Sequence, residues 1–297
     1  MDRVLEYEIP SEYDGANITT VLKRHFKIST NLIKDLKKYK EGIQVNGEHR
    51  RVVDFVAKGD ILKITMRDTA SENIVPTDIP LDIVYEDEDV LVINKPPNMP
   101  THPSMGNYEN SLANGVMYYY KSKGEERVFR AVNRLDKDTS GLMAVAKNSY
   151  IHARLGEEIQ KKELKRKYMC IVCGDVEHDG TVDAPIRRAD GSVINRIVAP
   201  DGQRAVTHYR VIKRYGEYTL LEMKLETGRT HQIRVHMAYI GHPLVGDWLY
   251  GTEDHNIAKR QMLHSCYLCF THPITGKIME FKDEMAEDMR AFIEKLS

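Results

Sequence analysis

The feature that most restricts this chain is the order of its apolar segments beyond residue 80. Short strand-like runs fall at 81–85, 90–94, 129–132, 142–146, 166–172, 205–212, 218–225 and 263–270, with helical patterns only at 110–121, 149–162, 231–239 and 284–296. A doubly wound sheet needs strands and helices in alternation, and that alternation is missing. The pattern predicts an α+β fold built on a mixed, largely antiparallel sheet. Leu81–Tyr85 and Val90–Asn94 flank the acidic turn Glu86-Asp87-Glu88-Asp89 as a hairpin, and Ile151, Leu155 and Ile159 form a buried stripe on the helix from Ser149.

Before residue 69 the pattern changes. Val21, Leu22 and Phe26 share one helix face and Leu32, Ile33 and Leu36 another, with Ser29 or Thr30 placed to cap the second. A strand at 42–47 ends in the turn Asn46-Gly47, and a second runs from Gly59 to Ile64. Residues 69–80, with Pro76 and Pro80 and no periodicity, read as a linker. A length of 297 residues suits two domains. The expected division is a small domain over 1–70 with its core at about 15–66, a linker at 71–80, and a large domain over 81–297.

With 41% hydrophobic and 29% charged residues the chain reads as globular and ordered. The first ten residues lack the basic start of a secretory signal, and no run approaches the roughly 20 apolar residues of a membrane span. A cytoplasmic protein without membrane association is expected. Net charge is −1, yet residues 21–51 hold nine Lys or Arg against three acids, and 187–214 seven against two. Such segregation builds a basic face suited to phosphate, the footprint of an RNA partner. The plainer alternative is a set of solvated helix faces. The pairs Cys170/Cys173 and Cys266/Cys269 imitate a zinc site, but both lie in strand-like runs, where positions i and i+3 point to opposite faces. Buried structural cysteines are expected, with no metal and no disulfide.

Asp136 stands in the loop Asn133-Arg134-Leu135-Asp136-Lys137-Asp138-Thr139-Ser140-Gly141. Taken alone it fits equally a catalytic carboxylate and a turn residue locking its own backbone. The segment resembles the signature of RNA pseudouridine synthases of the RluA/RluD type, usually His-Arg-Leu-Asp-x-x-Thr-Ser-Gly-Leu, with Asn133 replacing the usual His. Three further blocks are similar to that family in order and spacing: Val92-Ile93-Asn94-Lys95-Pro96-Pro97 with His102-Pro103, Lys165-Arg166-Lys167-Tyr168, and 225–236 followed by Gly241-His242-Pro243-Leu244 and Gly246-Asp247. The resemblance spans 81–283. Residues 15–66, through Val45-Asn46-Gly47 and Lys58-Gly59-Asp60-Ile61-Leu62, resemble the small RNA-binding module of ribosomal-protein (S-four) type, although the join at 37–42 is longer than usual. A capping subdomain without RNA contact is the alternative there.

The resemblance implies a pseudouridine synthase fold and isomerisation of uridine to pseudouridine in structured RNA. It points to large-subunit ribosomal RNA, with tRNA as the alternative; an isomerisation implies no cofactor, no protein partner is expected, and a monomer is the plain expectation. Asp136 would be the nucleophile or base, which needs an ionised carboxylate, and Arg234 its paired cation. The alternative for Arg234 is a surface helix arginine. Tyr168 would stack on a flipped base and Leu263 pack its other side. Arg134 would enter the vacated helix or grip a phosphate, while Arg229, His231 and Gln232 would build the pocket wall. Asn133 would alter RNA contact or loop support without loss of activity. Two other classes compete. A glycoside hydrolase would need Asp136 and Asp138 to face each other across a sugar, which one tight loop disfavours. A pure RNA binder would have no use for an arginine-paired pocket carboxylate.

Overall fold

The computed structural model describes residues 2–67, 74–251 and 257–296. Its N-terminal part comprises β1 (Arg3–Glu8), α1 (Ile18–Arg24), α2 (Thr30–Leu36), β2 (Ile43–Val45), β3 (Glu48–His49) and β4 (Ile61–Met66), with the strands in the order β1-β4-β2-β3. Asn17 and Ser29 cap the two helices by accepting the N–H groups of Thr20 and Leu32 at 2.9 and 3.2 Å. Asn46 and Gly47 both adopt positive φ, as the tight turn between β2 and β3 requires. Ile18, Val21, Leu22, Leu62 and Ile64 fill the core beneath the sheet.

The larger part runs β5 (Asp82–Glu86), β6 (Val90–Lys95), α3 (Leu112–Ser122), β7 (Ser140–Ala146), α4 (Ser149–Gln160), β8 (Lys165–Cys173), β9 (Gly180–Asp183), β10 (Ile186–Arg188), β11 (Arg196–Val198), β12 (Val206–Arg214), β13 (Tyr218–Leu225), α5 (Gln232–Tyr239), β14 (Leu263–Thr271), β15 (Ile278–Lys282) and α6 (Glu287–Glu294). Among the described residues, nine strands form one sheet in the order β5-β6-β7-β14-β8-β13-β12-β9, with β15 beside β14; β10 and β11 make a separate hairpin. The fold is α+β, mixed and largely antiparallel, as its pattern predicts. The parallel pairing is between β7 and β14, where His264 faces Ser140 and Ser265 faces Gly141. Gly141 is needed at that seam. Its φ is +110°, and a Cβ there would lie 2.3 Å from the Ser265 carbonyl oxygen.

The sheet is buried on both faces. Val90 and Val92 of β6 point into one core with Tyr150, Ile151 and Leu155, which merges with the N-terminal core. Leu91 and Ile93 point into the other with α3 and Tyr168. Burial on both faces explains the unbroken apolar run of β6. The acidic turn after β5 is consumed by pairing: Arg3 reaches Asp89 at 2.8 Å and Glu88 at 2.9 Å, and Lys147 reaches Glu86 at 2.7 Å. Of the expected linker, 71–73 lie outside the described residues; Ile79 and Leu81 pack over Gly115 of α3.

Six strands go beyond the sequence pattern: β1, β3, β9, β10, β11 and β15. They are short or carry mixed polar faces, and β1 is held mainly by its ladder to β4. Conversely, 129–132 is not a strand. Polar Arg130 interrupts the run, which pairs with β7 only through the Ala131–Val145 bridge and the hydrogen bonds around it. All four cysteines lie on β8 and β14 as free thiols. Burial raises the pKa of Cys170 and pushes that of Cys266 up to about 11, so these thiols stay protonated at neutral pH.

Candidate active site

Asp136 lies in the loop that feeds β7, and that loop is held by its carbonyl groups. The Thr101 hydroxyl donates to the Leu135 carbonyl at 2.8 Å, and Arg260 Nη1 donates to the Asp138 carbonyl at 3.0 Å. Lys95, fully buried at the end of β6, donates to the carbonyls of Pro96, Met99 and Lys137 at 2.8, 2.8 and 3.0 Å. Burial lowers its pKa to about 7, against the charges of Asp138 and Asp136. Three carbonyl acceptors nevertheless take three N–H donors, which only the ammonium form has, so the charged lysine ties the segment 96–99 to the Asp136 loop. Asn133 is buried and its side-chain oxygen accepts the Ala144 N–H at 3.0 Å, a support for the loop and not an outward contact.

The Asp136 carboxylate is hydrogen-bonded to Arg234 Nη1 at 3.4 Å, across 98 residues of sequence, and its side chain keeps 26% exposure. The first turn of α5 brings Arg234 there. The arginine is buried and held fork to fork by Asp247, at 2.7 Å from Nε and 2.8 Å from Nη2. Burial alone would lower its pKa, but the hydrogen bonds and charge of Asp247 raise it, so the guanidinium is a permanent cation. His231 Nε2 lies 3.9 Å from the same Asp136 oxygen.

These groups border a cavity of about 540 Å³ that all eight sequence-derived candidates line: Asp136, Arg234, Tyr168, Arg134, Leu263, Arg229, His231 and Gln232. Its apolar wall is Leu135, Tyr168, Ile233 and Leu263, which pack in one cluster. Tyr168 is almost completely buried, which raises the pKa of its phenol, with the Asp136 charge adding to the effect against Arg166. Gln232 is fully engaged: its oxygen accepts from Thr227 and the Arg229 N–H at 2.8 and 3.0 Å, and its nitrogen donates to Val206 and Thr207 at 3.0 Å each. It is therefore a brace between α5 and β12. Arg229 donates to the Arg204 carbonyl at 3.1 Å, and Arg134 is exposed. Asp138 does not line the cavity, so Asp136 and Asp138 do not face each other across it as the pair of a glycoside hydrolase would.

Asp247, Lys95, Thr101 and Arg260 are supports that sequence reasoning did not single out. Asp247 and Lys95 stand within the family-like blocks, but only the fold brings them to Arg234 and to the Asp136 loop. Among the described residues, no three His, Cys, Asp or Glu side chains are grouped to hold a metal ion. The chemistry on offer is that of a carboxylate beside a fixed cation, in a cavity with an apolar wall.

Residues 89–239 match the family described as RNA pseudouridylate synthase. The chain is 44% identical over 268 residues to the uncharacterized RNA pseudouridine synthase YjbO of Bacillus subtilis, covering 90% of this chain and 94% of that protein. It is 40% identical over 268 residues to ribosomal large subunit pseudouridine synthase D of Pasteurella multocida, covering 86% of this chain and 83% of that protein. Its fold is similar to that of human RNA pseudouridylate synthase domain containing 4, with a TM-score of 0.59 at 22% identity over 72% of this chain and 92% of that one.

Proposed function

This chain belongs to the RNA pseudouridylate synthase family and is an RNA pseudouridine synthase; from that premise we propose that it isomerises uridines of large-subunit ribosomal RNA, with Asp136 as the reacting group. The observation that carries the reading is the Asp136–Arg234 pair beside a slot walled by Tyr168 and Leu263. The N1–C1′ bond of a stacked nucleotide is out of reach, so the target uridine turns out of its helix into the cavity, whose volume suits a nucleoside.

Two routes use the same carboxylate. Asp136 attacks C1′ while uracil leaves with the N1–C1′ electron pair, or it takes a proton from C2′ of an oxocarbenium-like sugar. In either case the base stays in the slot, turns, and joins C1′ through C5; in the first route this displaces the Asp136 carboxylate from C1′, and in the second the proton taken by Asp136 returns to C2′. The proton on C5 is then lost and N1 gains one, so no water, metal or redox cofactor is consumed. Arg234 holds the negative charge that both routes require. Tyr168 and Leu263 keep the detached base from leaving. Arg134 and Arg229 offer cations to neighbouring phosphates, and His231 and Gln232 shape the wall.

The ribosomal substrate rests on the relative of that printed activity and on the N-terminal part. Lys23, Arg24, Lys27, Lys34, Lys37, Lys38 and Lys40 are all exposed there, a face suited to folded RNA. No helix among the described residues is long and apolar enough to cross a membrane. This reading has the enzyme acting as a monomer in the cytoplasm, where its RNA is. The test is tritium release from 5-tritiated uridine in unmodified large-subunit ribosomal RNA and, separately, in pooled unmodified tRNA. Release from the ribosomal RNA is expected. Release confined to tRNA would overturn the substrate.

A further inference from the structure

Tyr250 has no part in the reaction so far described, yet it touches each side of the site. Its backbone N–H bonds Asp247 Oδ1 at 3.2 Å, on the carboxylate that holds Arg234. Its ring lies 5.1 Å from the Arg234 guanidinium and packs with Ile186, Val198 and Val235. Its hydroxyl accepts the N–H of Arg196, on β11, at 2.9 Å and lies 2.8 Å from His231 Nδ1. A phenol has one proton. The Arg196 N–H already donates to that oxygen, which leaves the phenol proton free to point at His231 Nδ1, the arrangement in which Nδ1 carries the lone pair.

We propose that Tyr250 is a positioning residue that fixes His231 as the Nε2–H tautomer, so that Asp136 is faced by a second donor besides Arg234. Nε2 lies 3.9 Å from Asp136 Oδ2, close enough to bond it after a small shift or through one water. The charged groups facing the imidazole are Asp136, Arg234, Arg196 and Asp247. Burial lowers the pKa of His231, the two arginines add to it and the two carboxylates oppose it, which keeps the ring neutral at neutral pH. In a neutral ring the tautomer decides whether Asp136 meets a proton or a lone pair. The backbone supports a purposeful placement: His231 has φ +58°, left-handed for a residue with a side chain. The Tyr250 donor is itself held by the β10–β11 hairpin, so seating of that hairpin and the proton on His231 are linked.

The proposal rests on Asp136 as the reacting group, but its test does not need turnover. Long-range proton–nitrogen spectra of ¹⁵N-histidine protein, with His231 assigned through His231→Gln, should show Nδ1 unprotonated and Nε2 protonated. Tyr250→Phe keeps the ring and removes the proton; the tautomer should become mixed, with kcat down by roughly tenfold, the size of one hydrogen bond, and KM for RNA unchanged. In a His231→Gln background, whose amide supplies the Nε2 donor itself, Tyr250→Phe should cost less than twofold more, a non-additive pair. A wild-type Nδ1–H, or Tyr250→Phe with wild-type tautomer and kcat, would overturn it. An active Asp136→Asn enzyme with the Nε2–H tautomer intact would instead remove the role of Asp136 alone.

Discussion

Arg234 and Asp247 are joined fork to fork in the interior, at 2.7 and 2.8 Å, and this pairing turns the remaining Nη1 toward Asp136 at 3.4 Å. The aim of the cation is thus set by a carboxylate that does not itself line the cavity. Asp247 has no exposed side-chain surface, and it also accepts the N–H groups of Leu249 and Tyr250 at 3.1 and 3.2 Å.

Asp247→Ala takes from the buried guanidinium its two-bond counter-charge and leaves it the longer contact to Asp136 at 3.4 Å. Stability should fall by about 3–5 kcal/mol, the usual cost of breaking a buried pair from one side. Urea unfolding measures this. A loss below about 1 kcal/mol, within the range of an exposed ion pair, would mean that Arg234 finds another partner at little cost.

Arg234→Lys keeps a positive charge but loses the planar fork, and an ammonium cannot bind Asp247 through two parallel bonds while facing Asp136. The expected result is a drop in kcat of about 100-fold, the scale of misplacing a group by an ångström, with KM for RNA nearly unchanged. Single-turnover rates at saturating enzyme test it; a rate within twofold of wild type would show that charge alone suffices.

Lys95→Met removes one bond to the Asp136 loop, at Lys137, and two to the segment 96–99, without leaving a buried charge. The Pro96 and Met99 carbonyls lose the lysine donor while that of Lys137 keeps the Met99 N–H at 3.0 Å, so we expect about 1–3 kcal/mol lower stability and a slower reaction even at temperatures where the variant is fully folded. Unchanged kcat in a destabilised but folded variant would separate the loop's fixation from its chemistry.

Glu86 accepts bonds from Tyr119, Lys123 and Lys147 at 2.6, 2.8 and 2.7 Å. Burial alone would raise its pKa, but these partners bring it down to about 2 from an ordinary 4.5. Its contribution to stability is therefore present above pH 4.5 and is lost as pH falls toward 2. Glu86→Gln should flatten the pH dependence of the urea midpoint in that window. An identical slope in the variant would assign acid sensitivity to other carboxylates.

How much of this was legible in the sequence differs from element to element. The stripe Ile151, Leu155 and Ile159 and the cap residue Ser29 could be read because helix periodicity and capping are local. β9, β10 and β11 could not, since strands of three or four residues carry too little alternation to show. The cavity residues were found through motif resemblance, and the fold brings residues as distant as Arg134 and Leu263 to one cavity. Asp247 and Tyr250 stayed hidden for the opposite reason. Their importance lies in bonds to Arg234 and His231 across a turn of the chain, and no spacing rule announces such contacts.

The most direct measurement is single-turnover tritium release from 5-tritiated target RNA by Asp136→Asn, with binding and thermal unfolding followed on the same preparation. The side chain keeps its size beside Arg234 but can neither attack C1′ nor take a proton. No release is expected, with RNA affinity and melting temperature near wild type. Release at the wild-type rate would contradict the assignment of Asp136.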